Sequence, residues 1–245
     1  MIPIKIKSKN DFVTNFLSPI SKLTENTVLR VRDSNINAVC SSSDGTLIVN
    51  CTTDQQNDVS ETLFLNVPDV NRLIKVMSCI PDDDITVNFN NNNIEYKSKN
   101  VGFKFHLLED GIIDPPAVDI EKIKKIDFNF KFQVTPDIVS QLVRGSTFTT
   151  DTNKIYFSTD DDKVLASLTD RQRHNTDSFT QLISEKYIGD PLTKELALSF
   201  ETIRIISSIR FEELIVNVNP DLNVFLFQIV TKSATIMVIS SGFVG

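Results

Sequence analysis

Histidine, glycine and cysteine are scarce in this sequence, and tryptophan is absent. The 245 residues include two His, seven Gly and three Cys. So few glycines leave no Gly-rich loop of the kind that binds phosphate. Cys40, Cys51 and Cys79 show no C-x-x-C spacing, and only His106 and His174 could join them, so we expect no structural zinc site. Ordinary reduced thiols are typical of a cytosolic protein.

Long apolar segments are also missing. The first residues, MIPIKIKSKND, alternate apolar and polar side chains, which predicts a half-buried strand and neither a signal peptide nor a membrane anchor. Acidic residues exceed basic ones, for a formal net charge of -7. An acidic total gives no global field that would attract nucleic acid, although the distribution of charge matters more than its sum.

Patterns that support catalysis are missing as well. Runs of three aspartates occur at residues 82–84 and 160–162, both in predicted hairpin turns. Consecutive turn carboxylates splay apart and are solvated, whereas a hard metal ion needs carboxylates that converge from several rigid elements. No Ser-His-Asp arrangement or paired catalytic carboxylates are evident elsewhere in the sequence. We therefore expect no metal, no cofactor and no enzymatic activity.

Strand-forming and turn-forming residues are abundant, and the first half of the chain uses them in two similar segments. Each segment is a strand, a short helix and further strands. The predicted strands cover residues 2–7, 27–32, 36–41, 46–51, 63–67, 85–90, 93–98 and 101–108. In the first helix, opened by Asn10 and Asp11, apolar residues recur at helical spacing and leave Asn15, Ser18 and Lys22 as a polar stripe. The second helix begins after Val67, with Pro68 and Asp69 in its first turn.

A connector follows, with the sequence GIIDPPAVDIEKIKKID at residues 111–127. Pro115 and Pro116 remove two backbone donors and bias Asp114 away from helix, so the prediction for this segment is an extended chain.

The second half of the chain repeats the plan of the first. In residues 128–134 the apolar side chains alternate, and a helix follows with Thr135 as N-cap and Pro136 at its first position. Aligned without gaps, Asp137 falls opposite Asp11, and LALSFETIRIISSI lies over LFLNVPDVNRLIKV. Self-similarity of this kind indicates a duplicated architecture. The sequence therefore predicts an α+β protein of two duplicated domains, 1–110 and 127–245, joined by the connector 111–126. In each domain, two short helices pack on one face of curved antiparallel sheets.

Basic residues concentrate on or beside the predicted helices, although the chain as a whole is acidic. The acidic residues of these segments fall in the first turns of the helices, where they complement the helix dipole. The exposed middles and C-terminal ends of the helices are therefore left with a net positive charge. An ordinary solvated helix face is an equally good explanation of any one of these cations. The basic positions are Lys9, Lys22, Arg72, Lys75, Arg144, Arg204 and Arg210.

The chain contains four units, two in each half, and each unit is a strand, a short helix and further strands. With this doubled domain, an acidic total charge and basic helices, the chain resembles the DNA sliding clamps. The two-domain form is shared by proliferating cell nuclear antigen and the T4-type phage clamps, and the resemblance covers nearly the whole chain. It implies a domain fold of the DNA-clamp type. It also implies a closed homotrimer that encircles double-stranded DNA without reading its sequence.

The resemblance further implies roles for named residues. The seven basic positions become candidates to line the DNA hole. Arg171 and Arg173 either add phosphate contacts or belong to a turn that is merely solvated, and the two alternatives are equally good. A partner-peptide pocket is expected beside the connector and the C-terminal residues. Its candidates are Ile36, Ile112, Ile113, Val118, Leu222, Phe243 and Val244.

The favoured hypothesis is therefore a phage or viral processivity factor in the cytoplasm of an infected bacterial host. It would tether a DNA polymerase, would be loaded by a partner ATPase, and would catalyse no reaction. Two alternatives stay open: a monomeric processivity factor that holds DNA by charge alone, and a structural β protein of a virion.

Overall fold

The computed structural model describes residues 2–54, 59, 61–90, 92–149, 153–173 and 175–243. The chain divides into two compact units. The first comprises Met1–Ser43, Val49–Val118 and Thr231–Ile236, and the second comprises Asp44–Ile48, Asp119–Val230 and Met237–Gly245. The boundary that separates the two halves of the chain lies between Val118 and Asp119, within the predicted connector. No helix in the described ranges is long and apolar enough to cross a membrane.

The first unit contains two sets of antiparallel strands. One has the order β1-β6-β7-β8, formed by Ile2–Ile6, Ile85–Asn90, Asn93–Lys97 and Gly102–His106. The other has the order β5-β2-β3-β4, formed by Leu63–Val67, Thr27–Val31, Asn35–Ser41 and Leu47–Asp54, of which residues 49–54 belong to this unit. Apolar side chains at alternate positions, such as Ile4 and Ile6 of β1, are buried, as a period of two predicts.

Two helical segments lie side by side in this unit. The first changes type along its length, from α1 (Lys9–Asp11) through a π-helical stretch, π1 (Phe12–Leu17), to α2 (Ser18–Leu23). The second, α3 (Val70–Ser78), begins after Asp69, whose carboxylate accepts a 2.8 Å hydrogen bond from the backbone N–H of Arg72. Helix α3 packs against both π1 and α2.

The π-helical stretch overturns one detail of the predicted polar stripe. A π turn holds more residues than an α turn, so it rotates side chains away from the positions that a 3.6-residue period gives them. Asn15 is only 2% exposed, and its amide donates a hydrogen bond to the carboxylate of Asp11. The prediction that Asn15 faces solvent is therefore wrong, whereas Lys22 is exposed.

Asp83 closes the N-terminus of the first helical segment. Its backbone carbonyl accepts a 2.7 Å hydrogen bond from the N–H of Lys9. Its carboxylate accepts from the N–H of Asn10 at 2.7 Å and from the hydroxyl of Ser8 at 3.0 Å. The first N–H groups of a helix have no intrahelical acceptor, so these bonds supply the missing partners. One of the aspartates predicted to be merely solvated therefore has a structural role.

We expect Asp83→Ala to lower the free energy of unfolding by about 1–2 kcal/mol, since it removes the carboxylate that accepts from the N–H of Asn10 and the hydroxyl of Ser8 and keeps only the backbone carbonyl. Urea denaturation followed by circular dichroism measures this change. Asp82→Ala is the matched control because it removes an exposed neighbouring carboxylate, and its effect should stay below about 0.5 kcal/mol. Equal losses in the two variants would contradict the capping role.

The second unit repeats this arrangement. One set of strands has the order β12-β11-β10-β14, formed by Phe179–Ser184, Lys163–Leu168, Lys154–Asp160 and Leu196–Ser199. The other has the order β13-β9-β15-β16-β17, formed by Tyr187–Ile188, Phe130–Gln133, Glu213–Asn219, Val224–Val230 and Ala234–Ser241, of which residues 237–241 belong to this unit. Phenyl groups from both sets meet in the core, where Phe157 lies 6.0 Å from Phe132 and 5.6 Å from Phe225 between centroids.

The two principal helices of the second unit, α5 (Pro136–Ser146) and α6 (Phe200–Ser207), also pack against each other. Helix α5 starts as predicted, because the hydroxyl of Thr135 accepts a hydrogen bond from the N–H of Ile138 at 3.4 Å and Pro136 occupies the first turn. Strand β12 packs against α5 so closely that a Cβ atom at Gly145 would lie 2.4 Å from the phenyl ring of Phe179.

The connector departs from its prediction at one point. The residues around Pro115 and Pro116 have no regular structure, but a short helix, α4 (Ile120–Lys124), follows them. The carboxylate of Asp119 caps it by accepting from the N–H groups of Glu121 and Lys122 at 3.1 and 3.2 Å. A helix can begin here because a proline restricts itself and the residue before it, whereas Ile120 follows both prolines and has Asp119 as its N-cap.

The predicted fold class is confirmed. Each unit carries antiparallel strands with helices packed on them, and the elements of the second unit follow the order of those in the first.

Candidate nucleic-acid interface and partner cavities

Six of the seven basic positions predicted to face DNA have exposed side chains. They are Lys22 in α2, Arg72 and Lys75 in α3, Arg144 in α5, Arg204 in α6, and Arg210 just after α6. No ion pair between residues that the structure describes involves Lys22, Lys75 or Arg144. Arg204 pairs with Glu201 at 3.2 Å, but both side chains are about half exposed. Water screens such a pair, so it contributes at most about 1 kcal/mol and leaves the cation able to contact an anion.

Lys9 does not fit the predicted role. Its side chain is 6% exposed, and its ammonium donates a 2.6 Å hydrogen bond to the carbonyl of Ile80. A buried amine that is already bonded to the protein cannot reach a phosphate. We therefore remove Lys9 from the candidate DNA contacts, which leaves Lys22 as the cation that the first helical segment supplies to this set.

The two arginines of the loop after β11 each face an acidic partner. The guanidinium of Arg171 lies 2.6 Å from a carboxylate oxygen of Glu195, and that of Arg173 lies 3.3 Å from Asp170. Arg171 also stacks on the phenol ring of Tyr156, 5.3 Å from its centroid. These partners reduce the net charge that the loop presents to DNA. The loop's His174 lies outside the described residues.

The residues predicted to form a partner-peptide pocket have very different environments. Ile36 is 1% exposed and belongs to the core of the first unit, so it cannot form the wall of an accessible pocket, and that assignment is wrong. Ile112 is 60% exposed, and Val118 is half-buried. Val244 lies outside the described residues.

Ile113 lines a small cavity of about 130 Å³ in the first unit, between the proline segment of the connector and strands β2 and β3. Thr27 is one of the lining residues, and its hydroxyl oxygen is buried without a hydrogen-bond partner among the described residues. The space is large enough for a few water molecules and too small for most amino-acid side chains together with their backbone.

A larger cavity of about 630 Å³ lies within the second unit and includes Leu222 and Phe243. Both side chains belong to the predicted pocket set, and both are exposed, by 61% and 42%. The backbone N–H of Phe243 donates a 2.8 Å hydrogen bond to the carbonyl of Ala197, which fixes Phe243 against β14. Cavities of several hundred Å³ are typical of ligand sites.

Sequence reasoning missed most of the lining of this cavity. Strand β10 supplies Lys154 and Tyr156, and the segment before β14 supplies Lys194 and Glu195. Lys154 and Tyr156 are on an alternating strand, and Lys194 and Glu195 are in an exposed polar segment. Nothing in the local pattern distinguishes them from surface residues, because only long-range pairing brings them together.

Two of the three thiols are buried. Burial raises the pKa of Cys40 to about 12, and burial followed by the charge of Cys40 raises the pKa of Cys51 well above its usual value. Cys79, at the end of α3, is exposed. The buried thiols therefore remain protonated at neutral pH and are weak nucleophiles.

We expect a thiol reagent such as Ellman's reagent to label Cys79 rapidly in the native protein and to reach Cys40 and Cys51 only after denaturation. Absorbance measured before and after adding guanidinium chloride tests this. Rapid native labelling that persists in Cys79→Ser would contradict the burial of the other two thiols.

No group of three or more His, Cys, Asp or Glu side chains suited to a metal ion occurs in the described ranges. In the aspartate run before β6, Asp83 caps a helix and Asp84 lies 3.7 Å from the ammonium of Lys5. In the run between β10 and β11, Asp161 adopts a positive φ of 50°, as residues of tight turns do.

The whole chain has the fold of the PCNA sliding clamps, and the resemblance inferred from the sequence is confirmed at the level of the fold. No protein-family model matches the sequence. A comparison with curated proteins also finds no significant match.

Three solved structures illustrate the likeness. PCNA of A. fulgidus, solved with the C-terminal region of FEN-1 bound, superposes with a TM-score of 0.78 at 10% identity, over 100% of this chain and 99% of that chain. The PCNA2-PCNA3 complex from Sulfolobus tokodaii gives 0.76 at 11% identity, over 98% of each chain. PCNA from Thermococcus kodakaraensis gives 0.77 at 13% identity, over 99% of this chain and 100% of that chain. Identities this low establish a shared fold only.

Proposed function

We propose that this protein is a DNA sliding clamp. Three copies form a closed ring around duplex DNA and hold a replicative polymerase on its template, without catalysing a reaction. The observation that carries the proposal is the full-length match to the PCNA fold, combined with exposed cations on the helices of both units in a chain of net charge -7.

The charge distribution suits a ring better than an electrostatic tether. Each phosphate contact makes binding weaker as salt rises, with a slope of about -0.9 per contact, so a tether strong enough to persist would also resist sliding. A closed ring stays on DNA by topology. A few cations such as Lys22, Lys75 and Arg144, which form no ion pair with the residues that the structure describes, are then enough to centre the duplex, while the acidic remainder discourages DNA from binding elsewhere.

Ring closure needs two complementary surfaces on each copy, and two edge strands are candidates. Strands β8 and β12 each end a four-stranded sheet, and no strand in the described ranges pairs with their outer sides. An unpaired edge is a ready template for a strand of another chain. Phe148, just after helix α5, which packs against β12, adds an apolar side chain that is 60% exposed.

The other edges are less suited to pairing. Strand β1 contains Pro3, which removes a backbone donor. The backbone of β14 is bridged by Phe243, and that of β5 accepts a hydrogen bond from Leu108 at 2.9 Å. Strand β13 has only two residues. We therefore assign the junction between copies to β8 of one copy and β12 of the next.

The partners follow from the same proposal. The PCNA of A. fulgidus binds the C-terminal region of FEN-1, and we propose that this chain likewise binds short segments of a DNA polymerase and of a clamp-loading ATPase. Ile112, Ile113, Val118, Leu222 and Phe243 remain the candidate contacts for such segments. The expected compartment is the cytoplasm of a phage-infected bacterial host.

The mass of the native particle tests the proposal. Light scattering coupled to size-exclusion chromatography should give three times the chain mass of 27.6 kDa. A species of one chain mass at micromolar concentration would contradict ring formation and favour a monomeric factor that holds DNA by charge. Salt-sensitive binding to linear DNA by that species would support the monomeric alternative.

A further inference from the structure

We propose that the open edge of strand β5, in the first unit, binds an extended segment of a partner protein in which a basic side chain lies next to an apolar one. The inference rests on the proposed function only in presuming that the chain recruits partner proteins. It adds a docking edge formed by first-unit residues alone, and it names the chemistry of the segment that this edge selects.

The backbone groups of Phe64 point to the open side of β5. Where β2 turns into β3, the N–H of Arg32 donates a 2.8 Å hydrogen bond to the carbonyl of Asn35, so the even-numbered residues of β2 direct their backbone groups to β3. Arg30 is one of these residues and lies opposite Phe64. The two therefore form a non-hydrogen-bonded pair, and the N–H and carbonyl of Phe64 face away from β2.

Only part of this open side is already paired. The carbonyl of Asn66, which faces the same way, accepts a 2.9 Å hydrogen bond from the N–H of Leu108. No backbone group in the described ranges bonds to the outward groups of Phe64. An unpaired stretch of this kind binds an extended peptide through main-chain hydrogen bonds.

The second unit shows what an equivalent edge takes up. Ala197 of β14 aligns with Phe64, since LALSFETIRIISSI lies over LFLNVPDVNRLIKV. Its carbonyl accepts a 2.8 Å hydrogen bond from Phe243, and the two residues form an antiparallel bridge. The second unit thus covers this edge with its own chain, whereas the described chain leaves the edge of the first unit open to a segment of another protein.

A cavity of about 230 Å³ adjoins the open edge and favours an apolar side chain in the bound segment. Phe64 is 54% exposed, and Ile2 and Leu63 are half-buried. All three line the cavity. An apolar side chain that covers these groups removes apolar surface from water on both partners, which stabilises the complex.

Charge complementarity favours a basic neighbour for that apolar side chain. Asp110 is the one charged residue among those given for the lining. Its carboxylate is held by a 2.8 Å hydrogen bond from the buried amide of Asn66 and forms no ion pair with the described residues. The exposed Glu61 and Glu109 add negative charge nearby in sequence, so the site attracts a cation and repels phosphates.

The test measures binding of a fluorescein-labelled peptide, Thr-Val-Arg-Leu-Thr-Val, and of its counterpart with Gln in place of Arg, by fluorescence anisotropy on the full chain. At about 50 mM salt, where exposed charges are only partly screened, the Arg peptide should bind about tenfold more tightly. Asp110→Asn should remove most of that preference. Phe64→Ala should weaken binding of both peptides about tenfold.

Methylation of the peptide backbone tests the edge itself. Two versions of the Arg peptide carry N-methyl groups on alternate nitrogens, the odd ones in the first version and the even ones in the second. Because only one set of N–H groups faces β5, one version should bind like the parent peptide and the other about tenfold more weakly.

Asp33→Asn is the matched control, because it removes an exposed carboxylate of the same unit that does not line the cavity, and it should keep the preference for Arg. Thermal unfolding of each variant checks the fold. Equal binding of the Arg and Gln peptides, no binding of either, equal losses in the two methylated versions, or a changed native mass in Phe64→Ala would overturn the proposal. The last result would assign the edge to a junction between copies. The peptide measurements do not depend on ring formation, so a failure of the clamp proposal in the mass measurement is distinguishable.

Discussion

Lys104→Pro should convert the native oligomer into single chains. The hydrogen bonds from Ser98 N–H to the Val101 carbonyl and from Leu107 N–H to the Asn92 carbonyl flank β8 at 2.8 Å. These two bonds show that the odd-numbered residues of β8 form the hydrogen-bonded pairs with β7. Lys104 belongs to a non-hydrogen-bonded pair, so its backbone N–H points to the open edge of the sheet. Proline removes that donor and leaves the bonded pairs within the unit intact. Light scattering is expected to show the 27.6 kDa chain in place of its multiple.

Lys104→Gln separates this backbone effect from the side chain. It keeps the outward N–H and breaks only the 3.1 Å pair with Glu95, which is partly exposed and contributes at most about 1 kcal/mol. This variant should remain oligomeric. An oligomeric Lys104→Pro protein with unchanged circular dichroism would contradict the assignment of β8 to the junction.

Replacing Lys22, Arg72, Lys75, Arg144 and Arg204 together by Gln should weaken the contact of the protein with duplex DNA by at least about tenfold at low salt. Each lost phosphate contact should also reduce the slope of log affinity against log salt by about 0.9. Anisotropy of a short labelled duplex, titrated at several salt concentrations, measures both quantities. The oligomer should persist because the exposed cations are not needed for folding.

The control for this variant neutralises Lys122, Lys125, Lys163, Lys186 and Lys232, which are also exposed. It removes the same number of charges from elsewhere on the chain, so the loss of net charge is identical. Near-wild-type DNA binding is expected. If both sets weaken binding equally, the cations on the helices have no special role and total charge alone governs the interaction.

Local patterns predicted most of the fold. Alternation in residues 101–108 located β8, and the Thr135-Pro136 pair located the start of α5. Comparison of the two halves then identified the duplication, since equivalent elements carry their apolar residues at equivalent positions. These features depend on residues close in sequence, which is why they can be read from it.

The errors at Lys9 and Ile36 came from interactions between residues that are distant in sequence, whereas those at Asn15 and at helix α4 came from local geometry. Lys9, predicted to contact DNA, has its ammonium buried on the carbonyl of Ile80, and Ile36, predicted to line a pocket, lies in the core. The π-helical stretch turned Asn15 inward. Beyond Leu222 and Phe243, the lining of the second-unit cavity could not be predicted, because its residues come from β10, the loop after β11, the segment before β14 and the turn between β15 and β16.

Topological linkage to DNA is the central claim, and it can be tested without a loading factor. The protein is allowed to thread onto a linear duplex with one end blocked by streptavidin, the free end is then blocked, and the DNA is washed at about 1 M salt, where phosphate contacts are screened. A closed ring predicts protein retained on doubly blocked DNA, lost from singly blocked DNA, and released when a restriction enzyme cuts between the blocks. Equal release from singly and doubly blocked DNA in the wash would contradict the claim.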